Sequence, residues 1–257
     1  MAQGQVSLSS RPAGEVWATS GTKVWVPLDY WENYGIMLEQ NQFTIYLIRH
    51  GQTPVNLKGD ELGQEPNIPL TQKGEEQARK LRYSLNVRQI QFDQVFSSDY
   101  TRALETARIV TEDNHEPEPI LVPELREYSA GDWKGKLRQE ILTPEVRMRM
   151  GSLTQDFLPP NGESLNQVSR RASKWLEDVV MYNPWVIERS SHRTKEQPWR
   201  IGVFSHGMTI KCLLQHILGF DKGMTWKVDI WNTSVSTLSF GEDGWRLHNI
   251  NDISHLQ

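Results

Sequence analysis

The chain has 257 residues, of which 37% are hydrophobic and 23% are charged. This composition suits one large globular domain or two small ones, and it excludes collagen-like and wholly disordered chains. The formal net charge of −4 argues against binding to nucleic acid or to an anionic membrane, and a single cysteine excludes an intramolecular disulfide framework and a cysteine cluster for metal.

Residues 1–42 are predicted to form an N-terminal extension, partly disordered and rich in aromatic residues in its second half. Its beginning is rich in serine and has no acid before Glu15, a faint resemblance to an organellar import peptide. We expect a cytoplasmic protein, because there is neither a secretory signal nor the roughly 18-residue apolar run of a membrane span. Val24–Val26 is a candidate strand, and Met37 is an alternative start site. The aromatic residues predict a contact with a partner or with a second copy of the chain; they are Trp25, Tyr30, Trp31 and Tyr34.

Strand and helix patterns alternate from Phe43 onwards. The run Phe43–Ile48 is β-branched and aromatic, which is typical of a buried parallel strand. Apolar residues then recur at helical spacing, and short β-branched runs follow. The elements expected next are a helix over 71–86, a strand over 92–96, a helix capped by Ser98 or Asp99 and ending near Val110, and a strand over 120–122.

The second half of the chain continues this alternation. Its expected elements are a turn at 159–162, a helix over 165–179, a polar loop over 188–198, a strand over 201–204, a helix over 207–218 and strands over 235–240 and 245–250. The order predicts an α/β fold, a three-layer sandwich with helices on both faces of a mostly parallel central sheet. Residues 136–182 are predicted to form a helical cap insertion over one end of that sheet, and residues 43–257 to form a single domain.

Two histidines stand where strands are predicted to end. Arg49-His50-Gly51 follows the first buried strand, and Ser205-His206-Gly207 follows the strand over 201–204. Ligands of open α/β sheets bind at the carboxyl ends of the strands, and a glycine there lets the backbone approach a ligand closely. A phosphate near His206 would also interact with the N-terminus of the next helix. The pattern predicts a phosphate pocket.

Two further residues suit the same pocket. Arg102 lies about one turn into the helix that follows the second strand, where its guanidinium could bind a phosphate through two hydrogen bonds. Glu127 follows the third candidate strand, where a carboxyl group could act as a general acid. Either residue alone is typical of a solvated surface, so the prediction depends on all four positions together.

In combination these motifs resemble the histidine phosphatase superfamily, also called the phosphoglycerate mutase-like family, over about Phe43 to the C-terminus. The segment 127–133 looks like that of the phosphatase branch. The chain departs from the family at Val55, where tryptophan is common, and it has no counterpart for residues before Phe43. The matching positions, in chain order, are Arg49-His50-Gly51 with Thr53 and Asn56, Pro69–Gly74, Ser98–Arg102 with Glu105-Thr106-Ala107, Glu127 with Gly131, Trp133 and Gly135, Asn161–Ser164, Ser205–Gly207, Asn251-Asp252 and His255-Leu256.

The resemblance implies a role for each site residue. His50 would be the nucleophile and become a phosphohistidine, and Glu127 would protonate the leaving oxygen and then activate water. Catalysis would also use Arg49, Arg102 and His206, which would bind the phosphoryl oxygens. Neither a metal nor a cofactor is implied. The remaining phosphate-binding positions are Gly51, Thr53, Asn56 and Gly207.

Three functions are consistent with these motifs. The first is a metal-independent phosphomonoester hydrolase, an acid-type histidine phosphatase, acting through a phosphohistidine on a small phosphorylated metabolite. The second is a cofactor-dependent phosphoglycerate mutase, which would need a bisphosphate primer. The third is a weakly active regulatory binding module of the same fold, for which the aromatic extension is the main support.

Overall fold

The computed structural model describes residues 14–17, 23–26, 42–63, 65–112 and 117–257, with the backbone alone at 14–17, 23–26, 222 and 224. Strands β1 (Gly14–Trp17) and β2 (Lys23–Val26) form an antiparallel pair, which confirms the strand predicted at Val24–Val26. The predicted disorder, the alternative start and the other aromatic residues of the extension lie outside the described residues.

A six-stranded mixed sheet forms the centre of the domain, in the order β5-β4-β6-β3-β7-β8. Neighbours among β5, β4, β6 and β3 pair in parallel, whereas β7 and β8 are antiparallel to their neighbours. The predicted α/β class and the mostly parallel sheet are therefore confirmed. The strands are β3 (Phe43–Arg49), β4 (Gln94–Ser97), β5 (Ile120–Leu121), β6 (Trp199–Ser205), β7 (Val235–Gly241) and β8 (Gly244–Asp252).

Eight α-helices are found in the described parts of the chain. They are α1 (Pro54–Lys58), α2 (Gln72–Val87), α3 (Thr101–Thr111), α4 (Arg138–Ile141), α5 (Pro144–Leu153), α6 (Leu165–Trp175), α7 (Pro184–Ser190) and α8 (Gly207–Leu218). None of these helices is long and apolar enough to span a bilayer.

Helices cover both faces of the sheet because the side chains of β3 alternate between them. Phe43, Ile45 and Leu47 pack with residues of α6 and α8 on one face. Tyr46 and Ile48 pack with residues of α2 and α3 on the other face. The predicted three-layer sandwich thus follows from a strand that is apolar on both sides.

The cap is shorter than predicted. Helices α4 and α5 border a cleft at the carboxyl end of the sheet, as expected of a cap. Helix α6 instead buries Val168, Ala172 and Trp175 in the core, so this part of the predicted cap at 136–182 belongs to a helical layer. An amphipathic helix is compatible with either location, and only its tertiary contacts distinguish them.

Two local predictions also need correction. Helix α6 continues into a π-helical segment at Leu176–Met181. Val180 is buried in this segment, whereas α-helical spacing predicts burial of Val179. The wider π turn shifts the apolar face by one residue. The predicted polar loop over 188–198 begins inside α7, because Val186 and Ile187 anchor that helix in the core.

Candidate active site

Three buried side chains meet where β3, β4 and β6 end. His50 follows β3 and His206 follows β6, and the parallel register of the two strands places Arg49 opposite Ser205. The centroids of the two imidazole rings are 5.2 Å apart. Arg102, in the first turn of α3, reaches the same point, and its Nε donates to Nε2 of His50 at 3.3 Å. The structure thus brings together three of the predicted catalytic residues.

One hydrogen bond assigns the protons of His50. Its Nδ1 lies 2.7 Å from the carbonyl oxygen of Gly51, which can only accept, so Nδ1 carries the hydrogen. Nε2 therefore carries a lone pair, and this lone pair accepts from the guanidinium of Arg102. Burial, followed by the positive charges of Arg102 and Arg49, holds the pKa of His50 well below its usual value. The imidazole is accordingly neutral and nucleophilic at Nε2.

The two arginines are held in different ways. Arg102 is buried, donates from Nη1 to the carbonyl of Glu65 at 3.0 Å and lies over the ring of Tyr100. Burial lowers its pKa to about 10, so it remains a cation at neutral pH. Arg49 donates from Nη1 to the carbonyl of Ile230 at 2.6 Å, whereas its buried Nε has no hydrogen-bond partner among the described residues. That Nε is a donor available to an anion.

His206 is oriented by Ser98. The Ser98 hydroxyl lies 2.9 Å from Nε2 of His206 and accepts from the backbone N–H of Tyr100 at 3.3 Å. The other ring nitrogen, Nδ1, is buried and has no partner in the described part of the chain. Burial and then Arg102 hold the pKa of His206 well below its usual value. The imidazole of His206 is therefore neutral.

This arrangement corrects the predicted helix cap. Tyr100 occupies the N-cap position of α3 and makes no side-chain cap bond, so neither Ser98 nor Asp99 is the cap. Asp99 instead forms an ion pair with Arg126. A capping side chain and a site-orienting side chain are both small and polar, and the sequence pattern alone does not separate them.

The carboxylate of Glu127 is bound at the N-terminus of α8. It accepts from the backbone N–H groups of Tyr128 at 2.9 Å, Met208 at 3.1 Å and Thr209 at 3.3 Å. The partial positive charge of a helix N-terminus favours an anion at this place. At Gly207, between the two groups, a Cβ would lie 3.7 Å from Nε of Arg49 and 3.8 Å from Oε2 of Glu127. The acid and the free arginine donor are thus neighbours.

A second ion pair holds the Glu127 segment in place. Arg171 of α6 donates to the backbone carbonyl of Glu127 at 3.3 Å and forms an ion pair with Glu163 at 2.8 Å. Glu163 in turn accepts from the backbone N–H of Ser129 at 3.1 Å. The motif Asn161–Ser164 therefore has a place beside the acid, whereas nothing in the sequence pattern distinguished Arg171 from other helix arginines.

Gly51 serves internal packing. Its N–H donates to the Thr106 hydroxyl at 3.0 Å, so that group is not offered to a ligand. A Cβ on Gly51 would lie 2.6 Å from the carbonyl oxygen of Gly74. The close approach predicted for this glycine is thus between two segments of the chain, and α2 begins directly against the loop that carries His50.

Thr53 and Asn56 form a capping box at the start of α1. Thr53 is fully buried, and its hydroxyl and N–H both donate to Oδ1 of Asn56 at 3.1 Å. Oδ1 also accepts from Nδ2 of Asn232 at 3.2 Å. Because these donors occupy Oδ1, the group that Asn56 presents to the cleft is its Nδ2 amide. Asn232 also donates to the carbonyl of His50 at 3.0 Å, a site contact that no sequence motif signalled.

The other unusual side chains have packing roles. Nε2 of His255 lies 3.0 Å from the hydroxyl of Thr233, whose N–H donates to the carbonyl of Arg49 at 3.1 Å. Cys212 is buried in α8, and burial raises the pKa of its thiol to about 12. Within the described residues, no group of three or more potential metal ligands comes together.

A cleft of about 630 Å³ opens above these residues. Arg49, Asn56 and Glu127 line this cleft, whereas His50, Arg102 and His206 are buried and do not line it. Most of the walls are apolar. The apolar and aromatic wall residues are Val55, Leu62, Tyr128, Ala130, Trp133, Leu142, Met150, Phe157, Leu165, Met208 and Trp226.

Comparison with known proteins identifies the family of the chain. The sequence profile of the histidine phosphatase superfamily, branch 1, matches residues 45–253. The "Probable phosphoglycerate mutase GpmB" of Enterobacter sp. (strain 638) is 32% identical over 220 residues, which cover 82% of this chain and 94% of that protein. The adenosylcobalamin/alpha-ribazole phosphatase of Salmonella typhimurium is 36% identical over 141 residues, which cover 54% of this chain and 68% of that protein.

Solved structures share the fold. The crystal structure of phosphoserine phosphatase from Entamoeba histolytica, in complex with 3-phosphoglyceric acid, superimposes with a TM-score of 0.68. The match covers 84% of this chain and 100% of that one at 27% identity. The similar proteins thus include both phosphatases and a mutase.

Proposed function

The chain belongs to the histidine phosphatase superfamily, and we propose that it is a metal-independent phosphomonoester hydrolase that acts through a phosphohistidine at His50. The observation that carries the proposal is the protonation of His50, whose Nδ1–H is bound to the carbonyl of Gly51 and whose Nε2 keeps its lone pair toward the guanidinium of Arg102. A neutral imidazole with its lone pair among cationic groups is suited to attack phosphorus. The relatives with phosphatase names support the same activity.

In the first step, Nε2 of His50 attacks the phosphorus atom and the bond from phosphorus to the ester oxygen breaks. Glu127 enters this step as the carboxylic acid and gives its proton to the leaving oxygen, so an alcohol is released, Glu127 becomes a carboxylate and His50 carries the phosphoryl group. Arg49, Arg102 and His206 donate to the phosphoryl oxygens, where charge is spread in the transition state. The buried donors Nε of Arg49 and Nδ1 of His206 have no other partner among the described residues.

In the second step, water attacks the phosphorus atom and transfers a proton to the Glu127 carboxylate. The bond between nitrogen and phosphorus breaks, inorganic phosphate leaves and His50 recovers its lone pair. The backbone N–H groups of Met208 and Thr209 hold the carboxylate in place for this transfer. One water molecule is consumed for each ester, and neither an oxidant nor a metal ion takes part.

We assign the remaining predicted residues to two tasks. Asn56 and Gly207 bind phosphate, through the Nδ2 amide and the backbone N–H at the start of α8. Gly51 and Thr53 position them: Gly51 packs against Gly74, and Thr53 donates to the amide oxygen of Asn56.

The experiment that tests the proposal is a rapid quench in alkaline detergent with a substrate labelled at phosphorus. We expect an acid-labile, base-stable phosphoprotein in the wild type and its absence in His50→Ala, with turnover reduced at least about a thousandfold. His248→Ala, which changes an exposed histidine on β8, is the matched control and should retain both the phosphoprotein and the wild-type turnover. Activity should survive EDTA. A His50→Ala variant that turns over near the wild-type rate would refute the mechanism.

A mutase is the second candidate, because the similarity to the Enterobacter protein covers 94% of that protein. The same pocket could return the phosphoryl group to a substrate rather than to water. Phosphate release without a bisphosphate primer supports the hydrolase, and strict dependence on the primer supports the mutase. A regulatory role would require the extension, so truncation to Met37 without effect on turnover or melting temperature would dismiss it.

A further inference from the structure

We propose that the alcohol portion of the substrate is bulky and largely apolar, with an aromatic ring or ring system as the best fit, and that it binds between the cap and the start of α8. The inference rests on the proposed hydrolase and specifies the substrate class of that same site. The inference follows from the apolar lining of the cleft and from the position of Glu127 in that cleft.

The walls of the cleft are built from apolar side chains of separate elements. Leu142 and Met150 come from the cap, and Met208 comes from the first turn of α8. Trp133 and Phe157 pack against each other, with ring centroids 5.6 Å apart, and form one aromatic wall. Pockets of about 300–1,000 Å³ with such linings bind mostly apolar ligands. The observed volume of about 630 Å³ lies inside that range.

Glu127 sets the direction in which the alcohol must point. Its carboxylate lies at the cleft floor beside Nε of Arg49, with Gly207 between the two groups. The phosphoryl group belongs with the buried histidines, and the ester oxygen must face Glu127 to receive its proton. The carbon attached to that oxygen then leaves the pocket toward the apolar walls. An apolar alcohol would displace water from those walls, which is favourable.

A small phosphorylated acid fits the walls less well. Its second anionic group would need a cation beyond the phosphate pocket, and among the residues described around the cleft Arg138 and Arg147 are the remaining cations. Both are exposed residues of the cap. Ion pairs at such exposed positions contribute little to binding. The cleft therefore favours apolar burial over recognition of a second charge.

The test uses phosphate esters of primary alcohols, which keep the leaving oxygen nearly constant. The series is ethyl phosphate, hexyl phosphate and 2-naphthylethyl phosphate, with 3-phosphoglycerate as the small acid. We expect kcat/KM to rise at least about thirtyfold from the ethyl to the naphthylethyl ester, because each buried methylene group alone is worth about fourfold. We expect 3-phosphoglycerate to fall below the naphthylethyl ester.

Wall variants then test where the alcohol binds. Met150→Ala and Trp226→Ala should each lower the ratio of kcat/KM for naphthylethyl to ethyl phosphate by about fivefold or more. Trp226 is 59% exposed, so its truncation does not open the core. Met148→Ala is the matched control, because Met148 lies on the same helix as Met150, is 67% exposed and does not line the cleft. It should leave the ratio unchanged.

Two results would overturn the inference. One is a flat dependence of kcat/KM on the size of the alcohol. The other is a preference for 3-phosphoglycerate that the double change of Arg138→Ala and Arg147→Ala removes. In both cases, turnover that still depends on His50 would still support the proposed hydrolase activity. Absence of His50-dependent phosphate release from every ester would instead be a failure of the proposed function.

Discussion

Single hydrogen bonds determine what the two site histidines can do. The carbonyl of Gly51 places the proton of His50 on Nδ1, and the hydroxyl of Ser98 contacts Nε2 of His206 and leaves Nδ1 of that ring without a partner among the described residues. In the proposed mechanism His50 attacks through Nε2, whereas His206 donates to phosphate through Nδ1. Two residues of the same type thus become a nucleophile and a phosphate ligand.

We expect Ser98→Ala to lower kcat/KM by about tenfold to a hundredfold, because His206 loses the partner that fixes its tautomer. Ser97→Ala is the control: it is equally buried, and its hydroxyl donates to the backbone carbonyl of Ser98 and contacts neither histidine. Both variants should lose similar stability in urea denaturation, whereas only Ser98→Ala should change the ¹⁵N tautomer signature of His206. Equal kinetic losses in the two variants would show that the role of Ser98 is merely structural.

Glu127→Gln should affect esters according to their leaving groups. An amide cannot donate the proton that an alkyl alkoxide needs, so kcat/KM for ethyl phosphate should fall at least about a hundredfold. The loss on p-nitrophenyl phosphate should be much smaller, because nitrophenolate leaves without protonation. Steady-state kinetics on both esters measures the difference, and equal losses would remove Glu127 from the acid role.

The elements of the domain converge on the site through backbone contact as well as through side chains. Helix α2 begins with Thr71 as its N-cap, and Gly74 in its first turn lies directly against Gln52 of the loop that carries His50. The backbone N–H of Thr71 donates to the carbonyl of Gln52 at 2.9 Å. The loop that carries His50 is therefore positioned by helix α2.

Gly74→Ala tests this packing, because an added Cβ would lie 2.2 Å from the carbonyl oxygen of Gln52. We expect a loss of at least about 2 kcal/mol in the free energy of unfolding, together with a fall in kcat/KM above about tenfold. Gly151→Ala, in α5, is the matched control, because nothing lies within 4 Å of its added Cβ. It should be neutral or slightly stabilising in the same urea titration. A Gly74→Ala variant as stable as that control would contradict the packing argument.

The two imidazoles of the site, His50 and His206, are buried and neutral, and this couples the folding of the whole molecule to pH. The pKa values of His50 and His206 lie well below the ordinary 6.5, chiefly because of burial. The unfolded chain takes up protons on both residues as pH falls through about 6.5, and the folded chain does not. Above that pH these two groups therefore do not change the free energy of unfolding. Below it they lower the free energy of unfolding progressively.

We expect the free energy of unfolding to fall by about 1.4 kcal/mol per pH unit for each of the two histidines below about pH 6.5. Urea titrations at about pH 7.5 and about pH 5.5 measure this slope. His206→Gln should reduce the slope by about 1.4 kcal/mol per pH unit, whereas His248→Ala at an exposed position should leave it unchanged. A slope in His206→Gln identical to the wild type would contradict the burial of a neutral His206.

The sequence alone determined the α/β class, the order of strands and motifs along the chain, and the family. It could do so because strand and helix periodicities are local patterns, as are the motifs around His50, Arg102, Glu127 and His206. The parallel pairing of β3 with β6 then follows from packing strands that are apolar on both faces. The fold class, the motifs and the apolar faces of the strands are all encoded by residues that are close together in the sequence.

Only the tertiary structure decided which polar groups meet. The contacts of Ser98 with His206, of Arg171 with Glu127 and of Asn232 with His50 join residues that are 44 to 182 positions apart in the chain, and no local pattern encodes such contacts. The same reason explains why Gly51 packs against Gly74, why α6 joins a layer and why apolar side chains line the cleft. Hydrogen bonding and burial depend on the whole fold, whereas periodicity depends on the next few residues.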